Sequence, residues 1–368
     1  MSSRSRAAEG SRALYPKDDH SVDHHKLFSV ITTIQPPTPC VRDLAVLLDA
    51  IWAPLIIVGD SAGPFAYPLA GADFWSLERQ RTLSFSLSSL LPTKHYSRKN
   101  LGYLVAMSMG AECIYETDDD NAPLPEWAAR TLEFGAVGLA QSRWINVYRW
   151  FSENLIWPRG LPLEFIRDAS TIPVQATPTR LHRAPIQQGL ANVSPDVDAV
   201  WRLVLDTEFT FNRRESVVLP AGSWCPFNSQ TTWWWDDAFP LLYLPSHCSF
   251  RMTDIWRSFV AQRCLWELNL GLAFHAPEVY QDRNPHSLLR DFDSEIPGYL
   301  GNDALISSLE KLQLQPGLAC VTENVVRCYE GLIQDGFIPK DEMPLVRGWA
   351  QDIEHIRTGT HARVPSFG

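Results

Sequence analysis

The stretch Leu101–Asn121, LGYLVAMSMGAECIYETDDDN, decides the fold. Leu101, Leu104, Val105 and Met107 recur at helical spacing and predict a helix with one buried face. Gly110 suits the left-handed position that follows a helix end. ECIYET then reads as a short buried strand, and Asp118, Asp119 and Asp120 follow it directly. Adjacent carboxylates repel, so the triplet is either a solvated turn or a place where a cation compensates the charge.

The segments upstream settle what kind of sheet this strand joins. KLFSVITTIQPP carries a β-branched apolar run from Phe28 to Ile34, stopped by Pro36 and Pro37. VRDLAVLLDAI has helical spacing, and APLIIVGDS is a second continuous apolar strand. Strand, helix, strand with apolar strands predicts an α/β fold with a mostly parallel sheet flanked by helices. Ligands in such sheets sit beyond the carboxyl ends of the strands. Thr33–Pro37, Gly59–Gly63 and Asp118–Asn121 all fall at such ends.

The rest of the chain is read more coarsely. Residues 1–26 are expected to be a disordered tail, 27–300 the α/β domain, and 301–368 a helical C-terminal extension packed on it. SPDVDAVWRLVLD predicts a helix capped by Ser194, so the Asp196/Asp198 pair is explained by capping. RMTDIWRSFVAQRCLWELNL is strongly helical, and QDRNPHSLLRDFDSEIPGYL reads as a polar loop running into a short helix.

Composition narrows the function classes. The chain has 368 residues, 45% apolar, with a formal net charge of −10. That sign gives no bulk attraction to nucleic acid. No apolar run is long enough for a membrane span, and the first residues lack the apolar segment of a secretory signal. The seven cysteines are scattered without a CxxC pair, which favours reduced thiols. Together these predict a cytoplasmic chain without a membrane span or nucleic-acid partner.

Two carboxylates one residue apart at a strand end can share a hard cation such as Mg2+ or Mn2+, which prefers oxygen ligands and keeps positions open for phosphate. That chemistry serves a transferase that uses a nucleotide-diphosphate sugar. Arg98, Lys99 and Asn100 stand at the start of the helix before that strand, where backbone N–H groups also attract phosphate. The alternative is two solvated cations, but cations are slightly unfavourable at a helix start, which argues for an anionic partner.

RKNLGYLVAMSMGAECIYETDDDN resembles the central motif of the STELLO-type glycosyltransferases. The resemblance continues through QGLANVSPDVDAVWRL, LPAGSWCPFNSQTTWWWDDAFPLLYLP, RMTDIWRSFVAQRCLW and QDRNPHSLLRDFDSEI. It spans roughly residues 27–300, and the reversibly glycosylated polypeptides look like more distant relatives. The resemblance implies a GT-A-like fold, a uridine-diphosphate sugar donor, a Mn2+ or Mg2+ ion and an unknown acceptor. The plant members carry a transmembrane anchor that this sequence does not show, so a cell-wall role is not carried over. On this resemblance Asp118 and Asp120 become the metal pair, and Asp119 serves a ribose hydroxyl or completes the metal shell. Thr33 and Asp60 lie where the uridine sits, although Asp60 could instead cap the turn GDSAGP.

An inverting transfer needs a general base. Asp237, in WWWDDAFP, and Asp254, in RMTDIWRS, are the candidates, with helix capping and an ion pair to Arg257 as their structural explanations. Arg257 is a candidate diphosphate ligand. His247 is the candidate third metal ligand, with His286 comparable, and His275 fits a core histidine better. The competing functions are a sugar-nucleotide mutase or nucleotidyltransferase on the same sheet, and a binding scaffold that has lost transfer.

Overall fold

The computed structural model describes residues 26–284 and 287–360. The expected N-terminal tail lies outside the described residues except for Lys26. The first half contributes the strands β1 (Leu27–Thr33), β2 (Leu55–Gly59), β3 (Ala72–Trp75) and β4 (Cys113–Thr117). Next come β5 (Asn121–Pro123), β6 (Glu133–Leu139), β7 (Gln175–Arg183) and β8 (Ile186–Asn192). The last are β9 (Val217–Val218), β10 (Thr231–Trp235) and β11 (Ala273–Gln281). The helices are α1 (Pro39–Ala50), α2 (Leu77–Gln80), α3 (Lys99–Ser108), α4 (Ala199–Val204) and α5 (Thr253–Trp266), followed by α6 (Leu288–Lys311), α7 (Val321–Gln334) and α8 (Met343–Arg357).

All the strands join one sheet, in the order β3-β2-β1-β4-β10-β8-β11-β9-β6-β7, with β5 paired to β11. The α/β architecture is the expected GT-A-like one. Pairing is parallel through β3, β2, β1 and β4. It becomes mixed where β10 inserts antiparallel between β4 and β8.

The apolar strands are explained by helices on both faces. Phe28 and Val30 of β1 join one core cluster, with Ile56 and Val58 of β2. The alternate residues Leu27, Ile31, Leu55 and Ile57 join a second cluster under α1. α3 lies on the first face and is buried from Lys99 to Met107, more completely than a single apolar stripe requires. Gly102 permits this closeness: a Cβ there would stand 2.6 Å from Val30 Cγ1 and 2.7 Å from Val58 Cγ2. Gly102→Ala is therefore expected to cost about 1–3 kcal/mol by overpacking, read as a lower urea midpoint. An unchanged midpoint would show that α3 can move off the sheet.

The C-terminal helices share the first core, through Leu305, Val325, Trp349 and Ile353 among others. α6 runs unbroken across position 300 with Pro297 inside it, longer than the short helix expected there. Two buried carboxylates fasten the extension. Glu342 accepts from the backbone N–H groups of Ser246 and His247. Asp352 accepts from those of Ser86 and Leu87, at 2.7 and 2.9 Å. The cap of α4 is Asp198 and not Ser194: its carboxylate accepts from Trp201 N at 2.8 Å and Trp157 Nε1 at 2.6 Å. All seven cysteines are free thiols. No helix among the described residues is long and apolar enough to cross a membrane.

Candidate functional site

One rim of the sheet gathers five strand ends. β1 and β4 run parallel, β10 runs against both β4 and β8, and β11 runs with β8. Thr33, Gly59, Thr117, Asn192 and Gln281 therefore all terminate at the same edge. A cavity of 510 Å³ opens there. Its walls include Thr33, Asp60, Asp118, Asp119, Asp120 and Asp254 from the sequence-based candidates.

The aspartate triplet sits at the centre, and each side chain is held differently. Asp118 Oδ1 accepts from Tyr96 Oη at 2.7 Å and from Lys99 Nζ at 3.0 Å. Asp119 Oδ2 takes the Thr33 hydroxyl. Asp120 Oδ2 accepts from Gln281 Nε2 at 3.0 Å, while its Oδ1 is buried without a partner. Burial raises all three carboxyls above their usual range, opposed at Asp118 chiefly by Lys99 and at Asp119 chiefly by Thr33. Burial, then the charges of Asp118 and Asp119, push Asp120 up to about 7. An orphaned carboxylate oxygen among crowded acids is the environment a cation relieves. Among the described residues no three acidic, histidine or cysteine side chains converge to close a metal site. An ion bound through one or two carboxylates draws its other ligands from water and substrate phosphates, so the residues present fit that mode.

Asp60 caps its turn and also faces the cavity. It lines the cavity, and its carboxylate accepts from Ser61 N at 2.5 Å and His95 N at 2.9 Å, tying the β2 turn to the His95 loop.

Several candidates are corrected by their surroundings. Lys99 is buried, and Nζ donates to Tyr96 Oη, Thr117 O and Asp118 Oδ1, so no ammonium hydrogen is left for phosphate. It positions Asp118 from behind. Arg98 is also buried, donating from Nε to Gln80 at 2.8 Å and from Nη1 to Leu91 O and Pro92 O at 3.2 Å. Asn100 closes a two-way bond with the backbone of Leu244, at 2.8 and 2.9 Å. Neither the phosphate role nor the solvated alternative holds for these residues, because long-range packing has drawn them into the core.

Arg257 is not a diphosphate ligand at this rim either. It lies in the interior, with Nη1 at 2.8 and 2.9 Å from the two oxygens of Glu116 and its guanidinium 4.9 Å from the Trp234 ring centre. His247 is off the cavity wall: its Nδ1 lies 2.8 Å from Glu342. His286 lies outside the described residues. His275 is a core side chain, bonded to Ser216 and Gln187.

The two base candidates also fail, for different reasons. Asp237 is on the opposite rim. Trp235 pairs with Cys113, the first residue of β4, so the antiparallel β10 carries the acidic pair away from Asp118. There Asp237 meets Arg183. Asp237→Asn should leave nucleotide binding and turnover unchanged and cost under about 1 kcal/mol of stability. A large loss of turnover would mean that this rim takes part in the reaction.

Asp254 does line the cavity, but Arg159 clamps it through Nη1 at 3.0 Å and Nη2 at 2.8 Å. Burial favours its neutral form, yet Arg159 more than offsets this and holds the carboxyl below its usual range. A carboxylate so pinned makes a weak base. Its expected partner, Arg257, is taken by Glu116.

The sequence reading did not anticipate several wall residues. Tyr96, Phe250, Arg159, Arg202, Arg251, Gln281, Arg283 and Asn284 all line the cavity. Arg159 grips Asp196 as well as Asp254, with Nε and Nη2 at 2.8 and 2.9 Å from the Asp196 oxygens. A lone arginine between prolines and glycine, WPRGLP, was the available signal for it.

Residues 251–361 match the family model described as STELLO glycosyltransferases. The match begins on the cavity wall at Arg251 and runs through α5, β11 and the C-terminal helices. This C-terminal part of the chain thus resembles the STELLO glycosyltransferases. It is similar to "Probable glycosyltransferase STELLO1" of Arabidopsis thaliana, 28% identical over 322 residues that cover 81% of this chain and 41% of that protein. It is also similar to "Probable glycosyltransferase STELLO2" of the same plant, 32% identical over 247 residues, 62% of this chain and 32% of that protein. The chain thus spans less than half the length of these relatives.

Proposed function

We propose that this chain is a GT-A-type glycosyltransferase that uses a divalent cation and a uridine-diphosphate sugar. The observation that carries this reading is the unpartnered Asp120 oxygen, set beside two further carboxylates at the strand-end rim. The family match and the names of the two relatives support it.

In this reading the nucleoside lies toward the ends of β1 and β2, near Thr33 and Asp60, and the diphosphate lies at the triplet. Asp120 and Asp118 would hold Mn2+ or Mg2+, with Lys99 and Tyr96 fixing Asp118. The bound ion would supply charge neutralisation to the leaving diphosphate. Thr33 orients Asp119 toward the nucleotide side. Arg159 keeps Asp254 ionised and fixes both Asp254 and Asp196 on the far wall, so they shape the acceptor approach and Asp254 does not take its proton.

The test is thermal unfolding with uridine and guanosine diphosphate sugars, with and without Mn2+. A ligand that binds the folded state raises apparent stability by mass action. Uridine nucleotides with Mn2+ should raise the midpoint, and a chelator should remove the gain. Equal shifts from guanosine nucleotides would overturn the uridine assignment, and a shift that resists chelation would overturn the cation. Release of free uridine diphosphate with an acceptor separates a transferase from a scaffold, and conversion of the donor alone into an isomer would indicate a mutase.

A further inference from the structure

The far end of the cavity carries a charge that the proposed donor does not use. Arg202, on α4, is 7% exposed and lines the cavity. Its Nη1 donates to Ser194 Oγ at 3.2 Å and its Nη2 to Pro195 O at 2.7 Å. Its Nε is buried with no partner, and no carboxylate among the described residues lies within ion-pair distance of it.

The nearby acids are committed elsewhere. Asp196 is gripped by Arg159 on both oxygens. Arg251 is 2.9 Å from Glu295, and Arg283 is 2.8 Å from Asp291. Burial, then the charge of Arg283, depress the Arg202 guanidinium to about 10. Burial and Arg251 depress Arg283 as well. A buried cation without a counter-charge is costly, so this wall gains from an anion. A guanidinium also offers planar, paired donors that suit carboxylate and phosphate.

Position separates this wall from the triplet. The rim runs from Asp60 after β2, through Thr33 and the triplet, to Arg202 beyond β8 and Arg283 beyond β11. We propose that Arg202, with Arg283 and Arg251 beside it, forms a second anion subsite that receives a carboxylate or phosphate carried by the donor's sugar or by the acceptor. The choice of those two carriers rests on the reading that the nucleotide's diphosphate occupies the triplet; the anion site itself does not.

The experiment measures thermal stability at fixed ionic strength for the full chain and for Arg202→Gln, Arg202→Lys and Arg283→Gln. Inorganic phosphate is titrated first without nucleotide or metal. It should raise the midpoint of the parent chain, and Arg202→Gln should weaken its apparent affinity by about tenfold or more, as expected for loss of a charge-assisted bond. Arg202→Lys should retain part of the response. Arg283→Gln leaves the Arg202 tether to Ser194 and Pro195 intact, so a weakened response there is not a folding defect of Arg202. No response of the parent chain to phosphate would overturn the subsite.

Phosphate is then added to protein saturated with uridine diphosphate and Mn2+. An additive shift supports a separate site. Competition between the two, or an equal loss of nucleotide binding in Arg202→Gln, would mean that the arginines hold the donor's own diphosphate and would overturn the proposal. Tighter binding of uridine diphosphate glucuronate than of the glucose compound, lost in Arg202→Gln, places the anion on the donor sugar. Equal binding of the two, with phosphate still additive, places it on the acceptor. A chain that responds to phosphate through Arg202 but to no nucleotide would sink the glycosyltransferase reading and leave the anion site standing.

Discussion

Asp120→Asn is expected to abolish the metal-dependent part of nucleotide stabilisation while leaving the unliganded protein at least as stable as before. The two halves of this expectation have separate causes. In the unliganded chain Asp120 sits beside Asp118 and Asp119, and burial with their charges raises its carboxyl to about 7. Removing its charge relieves that crowding and keeps a group able to bond Gln281. In the liganded chain the same charge would be a principal hold on the cation. At a nucleotide concentration one hundred times Kd, the stabilisation at stake is about 2.7 kcal/mol. Thermal unfolding with and without nucleotide, Mn2+ and chelator reads both halves. A variant that is destabilised when empty yet keeps its full Mn2+-dependent gain would show that Asp120 is structural and that the cation, if bound, sits elsewhere.

The second large effect lies in the core. Glu116 gathers Arg257 Nη1 on both oxygens, Trp234 Nε1 at 3.0 Å and the Tyr103 hydroxyl, with Lys99 Nζ 3.8 Å away. Glu116→Leu strands the buried Arg257 and removes a second, more distant carboxylate from Lys99, which keeps Asp118, and should cost about 3–5 kcal/mol. Pairing it with Arg257→Met should recover much of that loss, since an apolar pair of similar volume replaces a buried ion pair at little cost. Urea unfolding of the two single variants and the double variant gives the coupling directly. Additive losses would mean that the two side chains do not depend on one another. Because Lys99 also steadies Asp118, weaker nucleotide binding in Glu116→Leu than in Arg257→Met would trace the route from core to site.

These outcomes bear on what the chain reveals before it folds. β1, β2 and β4 were legible because a strand buried on both faces must be apolar throughout, and the triplet's place at the rim followed from that. The direction of β10 was not legible. TTWWWDD reads the same whether the strand runs with or against its neighbours, and only its antiparallel register sends Asp237 to the far rim. Arg98, Lys99 and Asn100 looked available to phosphate because polar residues at a helix start are ordinarily exposed. Their partners Gln80, Thr117 and Leu244 lie 18, 18 and 144 positions away. The arginine wall was missed for a related reason: Arg159, Arg202, Arg251 and Arg283 come from four separate segments, and only the closed sheet brings them to one cavity.

The Glu342 and Asp352 attachments set a rule for anyone cutting or grafting this chain. Each carboxylate caps main-chain groups of a loop far upstream, one at Ser246 and His247 and the other at Ser86 and Leu87. A truncation before residue 340 would remove both anchors and strip α8 from α7, α3 and the Ser86 turn. Exchanging the C-terminal helices between homologues would succeed only if the receiving loops travelled with them. The segment that looks like an appendage is a buttress, and shortening it should first loosen the two upstream loops that it ties down.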